Sequence, residues 1–269
     1  MWIGGKGVEP SILRQIRDFP GRAGLYCQDL STGEEWSVRG EEAFEAASVI
    51  KLPILVELFR QLAAGEAREE ESFTIGDADK LPSCGALNYL HTGLSVTLMD
   101  LAVLMIIVSD NTATNLLIRR LGMEGVNKTI RGMGMEATRL RRLLFDSQAA
   151  AQGIKNTISP GEMGRLLAAL YRGEVVSPAA SARMLGILGD QRLNGKLPFW
   201  LNGKVKCAHK TGEDTNITHD VGILYTPRPL VLCICGDPVH PPALNALMGA
   251  IARQLAEEQG VKLEGFPAF

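Results

Sequence analysis

At 269 residues and 46% hydrophobic content the chain can bury a large core in one or two domains. A net charge of −2 and a pI near 6.1, with only the short group Arg139-Leu140-Arg141-Arg142 densely basic, leave no electrostatic footprint for nucleic acid and favour a small-molecule or peptide substrate. No apolar run reaches the length of a membrane span, residues 101–108 being the longest, and residues 1–19 carry charges and Pro10 rather than the apolar region of a signal peptide.

The elements follow in chain order. Residues 10–18 are expected to open the fold as a helix with Ile12, Leu13 and Ile16 on one side. Residues 23–29 and 35–39 read as a strand hairpin joined through Ser31-Thr32-Gly33. Next comes a helix carrying Ser48 in its first turn and ending near Gly65, with Pro53 close enough to its start to be tolerated. From there the pattern is helical. Thr97 and Asp100 form a capping-box pattern ahead of residues 98–108, which are apolar on most faces and so expected to be buried. Ser109-Asp110-Asn111 interrupts the run. A helix over 113–121 stops at Gly122, and a short one is expected over 125–131. Residues 136–157 read as a long loop, and Ser159-Pro160 and Ser177-Pro178 announce helices over 163–171 and 179–188. Three β-rich runs, 205–209, 217–225 and 230–235, precede a terminal amphipathic helix over 243–258. Strands at both ends with helices between predict an α+β fold: one antiparallel five-stranded sheet assembled from both termini, with a helical lobe inserted. The expected organisation is a single catalytic unit, its sheet lobe made by residues 1–47 and 204–269 and its helical lobe by residues 48–203.

Cysteine use says little about compartment. Cys27, Cys84, Cys207, Cys233 and Cys235 are odd in number, so at least one thiol is free or pairs between chains. Cys233 and Cys235 share a strand face, and with His240 they match no usual zinc spacing; neither metal nor cofactor is expected. The chain is expected either in the cytoplasm or, if a leader has been removed, outside it (periplasmic or extracellular), and a monomer is favoured.

The chemistry concentrates in Ser48-Val49-Ile50-Lys51. On a helix the two termini of this string lie on one face of a turn. A serine hydroxyl is a poor nucleophile until a nearby base takes its proton, and a lysine serves if desolvation and the helix dipole keep its amine neutral. The start of a helix also offers backbone N–H groups to an oxyanion. The competing reading is a capping serine beside a solvated lysine. Two further strings follow, Ser109-Asp110-Asn111 and Lys210-Thr211-Gly212, which alone read as a helix break and a hairpin end. His209 and His219 read as packing or hydrogen-bonding residues near the site, and no Gly-x-Ser-x-Gly elbow supports a serine–histidine–aspartate triad.

Together and in this order the three strings resemble the signature of class A β-lactamases and penicillin-binding proteins. The likeness extends through Gly93-Leu94-Ser95-Val96-Thr97, through Thr112-Ala113-Thr114-Asn115-Leu116-Leu117 and through Asp220-Val221-Gly222, and covers essentially the whole chain. It implies a β-lactamase/transpeptidase-like three-layer α/β/α sandwich. It also implies roles: Ser48 as the acylated nucleophile, Lys51 as its proton acceptor or relay, and Ser109 passing a proton to the leaving nitrogen. Asn111 would bind the substrate's amide side chain and help hold Lys51. Lys210 and Thr211 would bind the substrate carboxylate, with Lys210 also polarising Ser109. Gly212 would let the substrate lie flat against the strand, and the backbone N–H groups of Ser48 and Glu213 would form the oxyanion hole.

One departure stands out. Class A β-lactamases carry a glutamate, in a Glu-x-x-Leu-Asn string on a long loop, that activates the water clearing the acyl-enzyme. Residues 138–142 resemble the start of that loop, but Leu144 takes the glutamate's place, no Leu-Asn follows, and Asp146 has a shorter arm at a shifted position. The resemblance therefore implies acylation by β-lactams with slow deacylation. Two alternatives are a D-alanyl-D-alanine carboxypeptidase or transpeptidase acting on peptidoglycan peptides, and a sensor that is acylated without turnover.

Overall fold

The first and last thirds of the chain meet in one sheet. The structure, a computed structural model, describes residues 8–263. In chain order it contains α1 (Val8–Arg17), β1 (Gly21–Asp29), β2 (Glu35–Val38), β3 (Phe44–Glu45), α2 (Lys51–Ala63), β4 (Ser72–Thr74), β5 (Ser95–Thr97), α3 (Leu98–Ile107), α4 (Asn111–Leu121), α5 (Met123–Gly132), α6 (Ser147–Ala151), β6 (Thr157–Ile158), α7 (Pro160–Tyr171), α8 (Pro178–Gly189), β7 (Cys207–Asp214), β8 (Ile217–Leu224), β9 (Leu230–Val239) and α9 (Pro241–Glu258). The main sheet runs β2-β1-β9-β8-β7, every pairing antiparallel. The ends of the expected sheet lobe, residues 1–7 and 264–269, lie outside the described residues.

Alternation along the strands sorts their side chains into two cores. Leu25, Cys27, Leu232 and Ile234 face α1 and α9, joined by Leu244, Met248, Ile251 and Leu255. Tyr26, Cys233 and Cys235 face the helical lobe and pack with Leu52, Leu55, Met163 and Leu167. β8 is covered on both faces and buried along its whole length. Leu197 and Leu201, next to the expected lobe boundary, belong to the α9 side. The helices begin where side-chain oxygens satisfy their open N–H groups: Thr97, Asp110, Ser159 and Ser177 cap α3, α4, α7 and α8, each worth about 1 kcal/mol.

Three local expectations need correction. Ser48 does not open an α-helix; it sits in a 3-10 turn, Ala47–Ile50, and α2 starts at Lys51, which puts Pro53 in the first turn. The β-rich run read as ending at residue 209 continues to Asp214, so Lys210, Thr211 and Gly212 lie inside an edge strand, as the family resemblance implies, and not at the hairpin end that the string alone suggests. The loop expected over 136–157 contains the short helix α6. All five cysteines are free thiols. Among the described residues no helix is long and apolar enough to cross a membrane, and no His, Cys, Asp and Glu group is placed to hold a metal.

Candidate active site

The nucleophile turn sits between β7 and α2. A Cβ on Gly212 would come within 3.1 Å of Val49 and 3.3 Å of Ala47, so this glycine is what lets the Ser48 turn press against the strand. That close approach, rather than room for substrate alone, accounts for glycine here. Ala47 takes up a positive φ of 41° to start the turn, and Ser109 another of 54° where α3 gives way to α4.

Lys51 is fully buried, and its Nζ lies 3.0 Å from Ser48 Oγ, 3.0 Å from Ser109 Oγ, 2.8 Å from the Ser109 carbonyl and 2.9 Å from Asn111 Oδ1. The two carbonyl-type oxygens can only accept, so they take two N–H bonds. A neutral amine then keeps one lone pair for a hydroxyl proton. Burial disfavours the charged form and pushes Lys51 down to about 7, against the opposing pull of Cys84 and Asp110. Lys210, also fully buried, lies 3.1 Å from Ser109 Oγ, and burial followed by the charge of Lys51 holds it well below the ordinary lysine value. Ser109 thus touches both amines, and a proton can move along Ser48, Lys51, Ser109 and Lys210 through contacts of 3.0 to 3.1 Å.

Asp110, given no role from sequence, ties the wall opposite the strand in place. Its carboxylate accepts from Ala86 N–H at 2.7 Å, Leu87 N–H at 2.9 Å and Ala113 N–H at 2.9 Å. Asn111 donates from Nδ2 to the Pro82 carbonyl at 3.1 Å, which completes its fixation. The structure therefore brings Ser48, Lys51, Ser109, Asn111, Lys210, Thr211, Gly212 and Glu213 together. Ser48, Ser109, Asn111, Thr211 and Glu213 line a cleft of about 910 Å³ whose rim includes Ser83, Cys84, Leu144, Phe145, Lys196 and Asn245, with Lys51 and Lys210 fully buried behind them.

The long loop forms the floor. Glu162, at the start of α7, collects the N–H groups of Glu136, Ala137 and Thr138 and the Thr138 hydroxyl. Asn156 pins the other end, accepting from Arg141 and Arg142 N–H and donating to the Arg142 carbonyl. Leu144, half-buried, lines the cleft. Asp146 also reaches the rim, but its carboxylate accepts from Ala149 N–H at 2.9 Å as the cap of α6. His209 Nδ1 lies 2.8 Å from Asp220, and His219 Nε2 lies 2.7 Å from the Glu45 carbonyl. Lys196 and Asn156 owe their places to tertiary packing and have no local pattern to mark them, whereas Asn115 lies in the string over residues 112–117 and Glu162 follows the Ser159-Pro160 helix start, and packing gives each its contacts at the site.

A serine hydroxyl held against a buried amine near neutral pKa, in a cleft edged by an open strand, defines a serine hydrolase site of the acyl-enzyme type. The chain belongs to the β-lactamase enzyme family, whose sequence model matches residues 8–259. It is similar to a β-lactamase of Streptomyces lavendulae, 30% identical over 273 residues that cover 93% of this chain and 87% of the relative. Among solved structures, a β-lactamase from Sphaerobacter thermophilus DSM 20745 matches with a TM-score of 0.87 at 29% identity, covering 95% of this chain and 98% of that one. PBP-A matches with a TM-score of 0.84 at 30% identity over 94% and 96%. A leucine-to-glutamate variant of PBP-A was solved as an acyl-enzyme complex with penicillin G.

Proposed function

We propose that this hydrolase is acylated at Ser48 by β-lactams and releases the acyl group slowly. The observation that carries the reading is the position of Lys51 Nζ, 3.0 Å from the hydroxyl oxygens of both Ser48 and Ser109. Ser48 Oγ attacks the lactam carbonyl carbon while its proton passes to the neutral Lys51 amine. Backbone N–H groups of Ser48 and Glu213 receive the oxyanion. The C–N bond then breaks, and the nitrogen leaves with a proton delivered by Ser109 and replaced from its amine neighbours. Asn111 orients the substrate's amide side chain, and Lys210 with Thr211 anchors its carboxylate.

Deacylation needs a base for water, and Leu144 supplies only hydrocarbon where the loop meets the cleft. Asp146 is engaged in capping α6. Loss of a positioned general base costs about 10²- to 10⁴-fold in the step it serves. The likeness to PBP-A keeps beside it the second reading that the family resemblance implies, a D-alanyl-D-alanine carboxypeptidase or transpeptidase.

Intact-protein mass spectrometry over time, after mixing with penicillin G, tests the proposal. The expected result is one added penicillin on Ser48 that persists well beyond mixing and is absent in Ser48→Ala. Absence of any adduct, or its disappearance within the mixing time, sinks the reading. Release of D-alanine from a stem-peptide mimic would select the carboxypeptidase. An adduct that never clears, with no product from any substrate, would select the sensor.

A further inference from the structure

Lys196 is a buried cation of the cleft that belongs to none of the three motifs. Its Nζ donates to the carbonyls of Gly212 at 2.8 Å and His219 at 3.2 Å, and it lies 3.4 Å from the Glu213 carboxylate. The pair is lopsided: the lysine side chain is 6% exposed and the glutamate 63%. Burial lowers the lysine's proton affinity, while the carboxylates of Asp220 and Glu213 push it back toward the charged form. Along β7, Thr211 and Glu213 stand on one face, two residues apart and so about 7 Å from each other, and both line the cleft with Lys196. Lys210 points to the opposite face, into Ser109.

We propose that the Glu213 side chain is an internal competitor for the substrate carboxylate, pairing with Lys196 before substrate arrives and lowering the affinity for anionic substrates at the Thr211 end. This rests on the reading above, in which a substrate carboxylate anchors beside Lys210 and Thr211. A substrate anion arriving there meets one cation already neutralised and one like charge on the same strand face. Because the glutamate half of the pair is exposed, it swings into solvent at small cost, so the effect is an attenuation rather than a block. The device selects for substrates that are neutral or cationic at that end over those with a free carboxylate.

Glu213→Gln keeps the side chain's shape and removes its charge. Its second-order acylation rate by penicillin G should rise about three- to tenfold at low ionic strength, and the gain should shrink in high salt. The methyl ester of penicillin G should gain nothing. Adding Lys196→Met to Glu213→Gln should erase the gain. An unchanged rate, an equal gain on the ester, or a gain that survives the loss of Lys196 would overturn the proposal. A second measurement needs no acylation: sulfate should raise the thermal midpoint of Glu213→Gln at lower concentration than that of the unaltered protein, and equal concentrations would overturn the proposal. If the unaltered protein forms no adduct with penicillin G, the functional reading fails while the sulfate comparison still decides the competition.

Discussion

Asn115 holds Leu144 by both of its backbone polar atoms: Oδ1 accepts the Leu144 N–H at 2.9 Å, and Nδ2 donates to the Leu144 carbonyl at 2.9 Å. The clamp acts on backbone alone, so it fixes position 144 at the cleft whatever side chain stands there. Phe145 follows in the left-handed region at φ 60°, and Asp146 then caps α6, so the chain is fastened on both sides of the bend. The loop is thus tied on both sides of an aliphatic residue that lines the cleft.

Leu144→Glu should therefore add a carboxylate to a place already held in register. Deacylation of penicillin G should accelerate about 10²-fold, within the range a general base supplies, while acylation changes less than about threefold. Burst amplitude against steady-state turnover measures both steps. An unchanged ratio would show that position 144 does not face the hydrolytic water. In the Asn115→Ala background the gain should largely vanish, because the two residues act as one unit.

The acylation rate should follow the protonation of Lys51. Burial favours its neutral form and brings it to about 7, so the base is present above that pH and lost below it. Stopped-flow acylation should rise through neutrality and fall about tenfold per pH unit once well below it. Lys51→Arg, permanently charged, should be inactive across the range. The same depression has a stability consequence. Between about 7 and the ordinary lysine value the unfolded chain binds the proton that the folded chain refuses, so this group makes the fold more stable as pH rises through that window.

Much of the site was legible because its chemistry admits few residue types: Ser48, Lys51, Ser109, Asn111 and Lys210 meet as their spacing and order imply. The long helices were legible from caps and periodicity, as at Thr97 and Ser159. What escaped reading depends on contacts between distant segments. β7 runs on through Lys210, Glu213 and Asp214, whose charges hide the strand pattern, because β8 supplies a partner for each of them. Lys196 looks like a surface lysine until the carbonyls of Gly212 and His219 enclose it. The 3-10 turn at Ser48 packs closely on Gly212, a contact that no window around residue 48 reveals.

Cys84 is the exposed thiol among the five cysteines and lines the cleft opposite the strand, while Cys27, Cys233 and Cys235 are buried. Brief treatment with iodoacetamide should modify it first, as peptide mapping would show. The added group narrows the entrance, so acylation by penicillin G should slow about tenfold or more by crowding alone. Cys84→Ser should acylate normally and be indifferent to the reagent. Equal slowing in that variant would mean that another residue carries the effect.

His219 couples the site to acid stability. Its Nδ1 accepts the Gly236 N–H at 3.2 Å and its Nε2 donates to the Glu45 carbonyl at 2.7 Å, an arrangement that only the neutral ring with its proton on Nε2 satisfies. Burial first, opposed by the bond to Glu45, brings it down to about 4 from an ordinary 6.5. In the unfolded chain the ring takes up a proton as pH falls through 6.5, whereas the folded ring refuses it until about 4. The stabilisation is therefore complete above 6.5 and is lost progressively down to about 4, by on the order of 3 kcal/mol. His219→Gln keeps a donor and an acceptor without titrating. Urea unfolding near pH 7 and again near pH 4.5 should show the unaltered protein losing about 2 kcal/mol more than the variant between the two conditions. Parallel losses would mean that the ring accepts its proton inside the fold, and that the contact between β8 and the strand bearing Glu45 tolerates the charge.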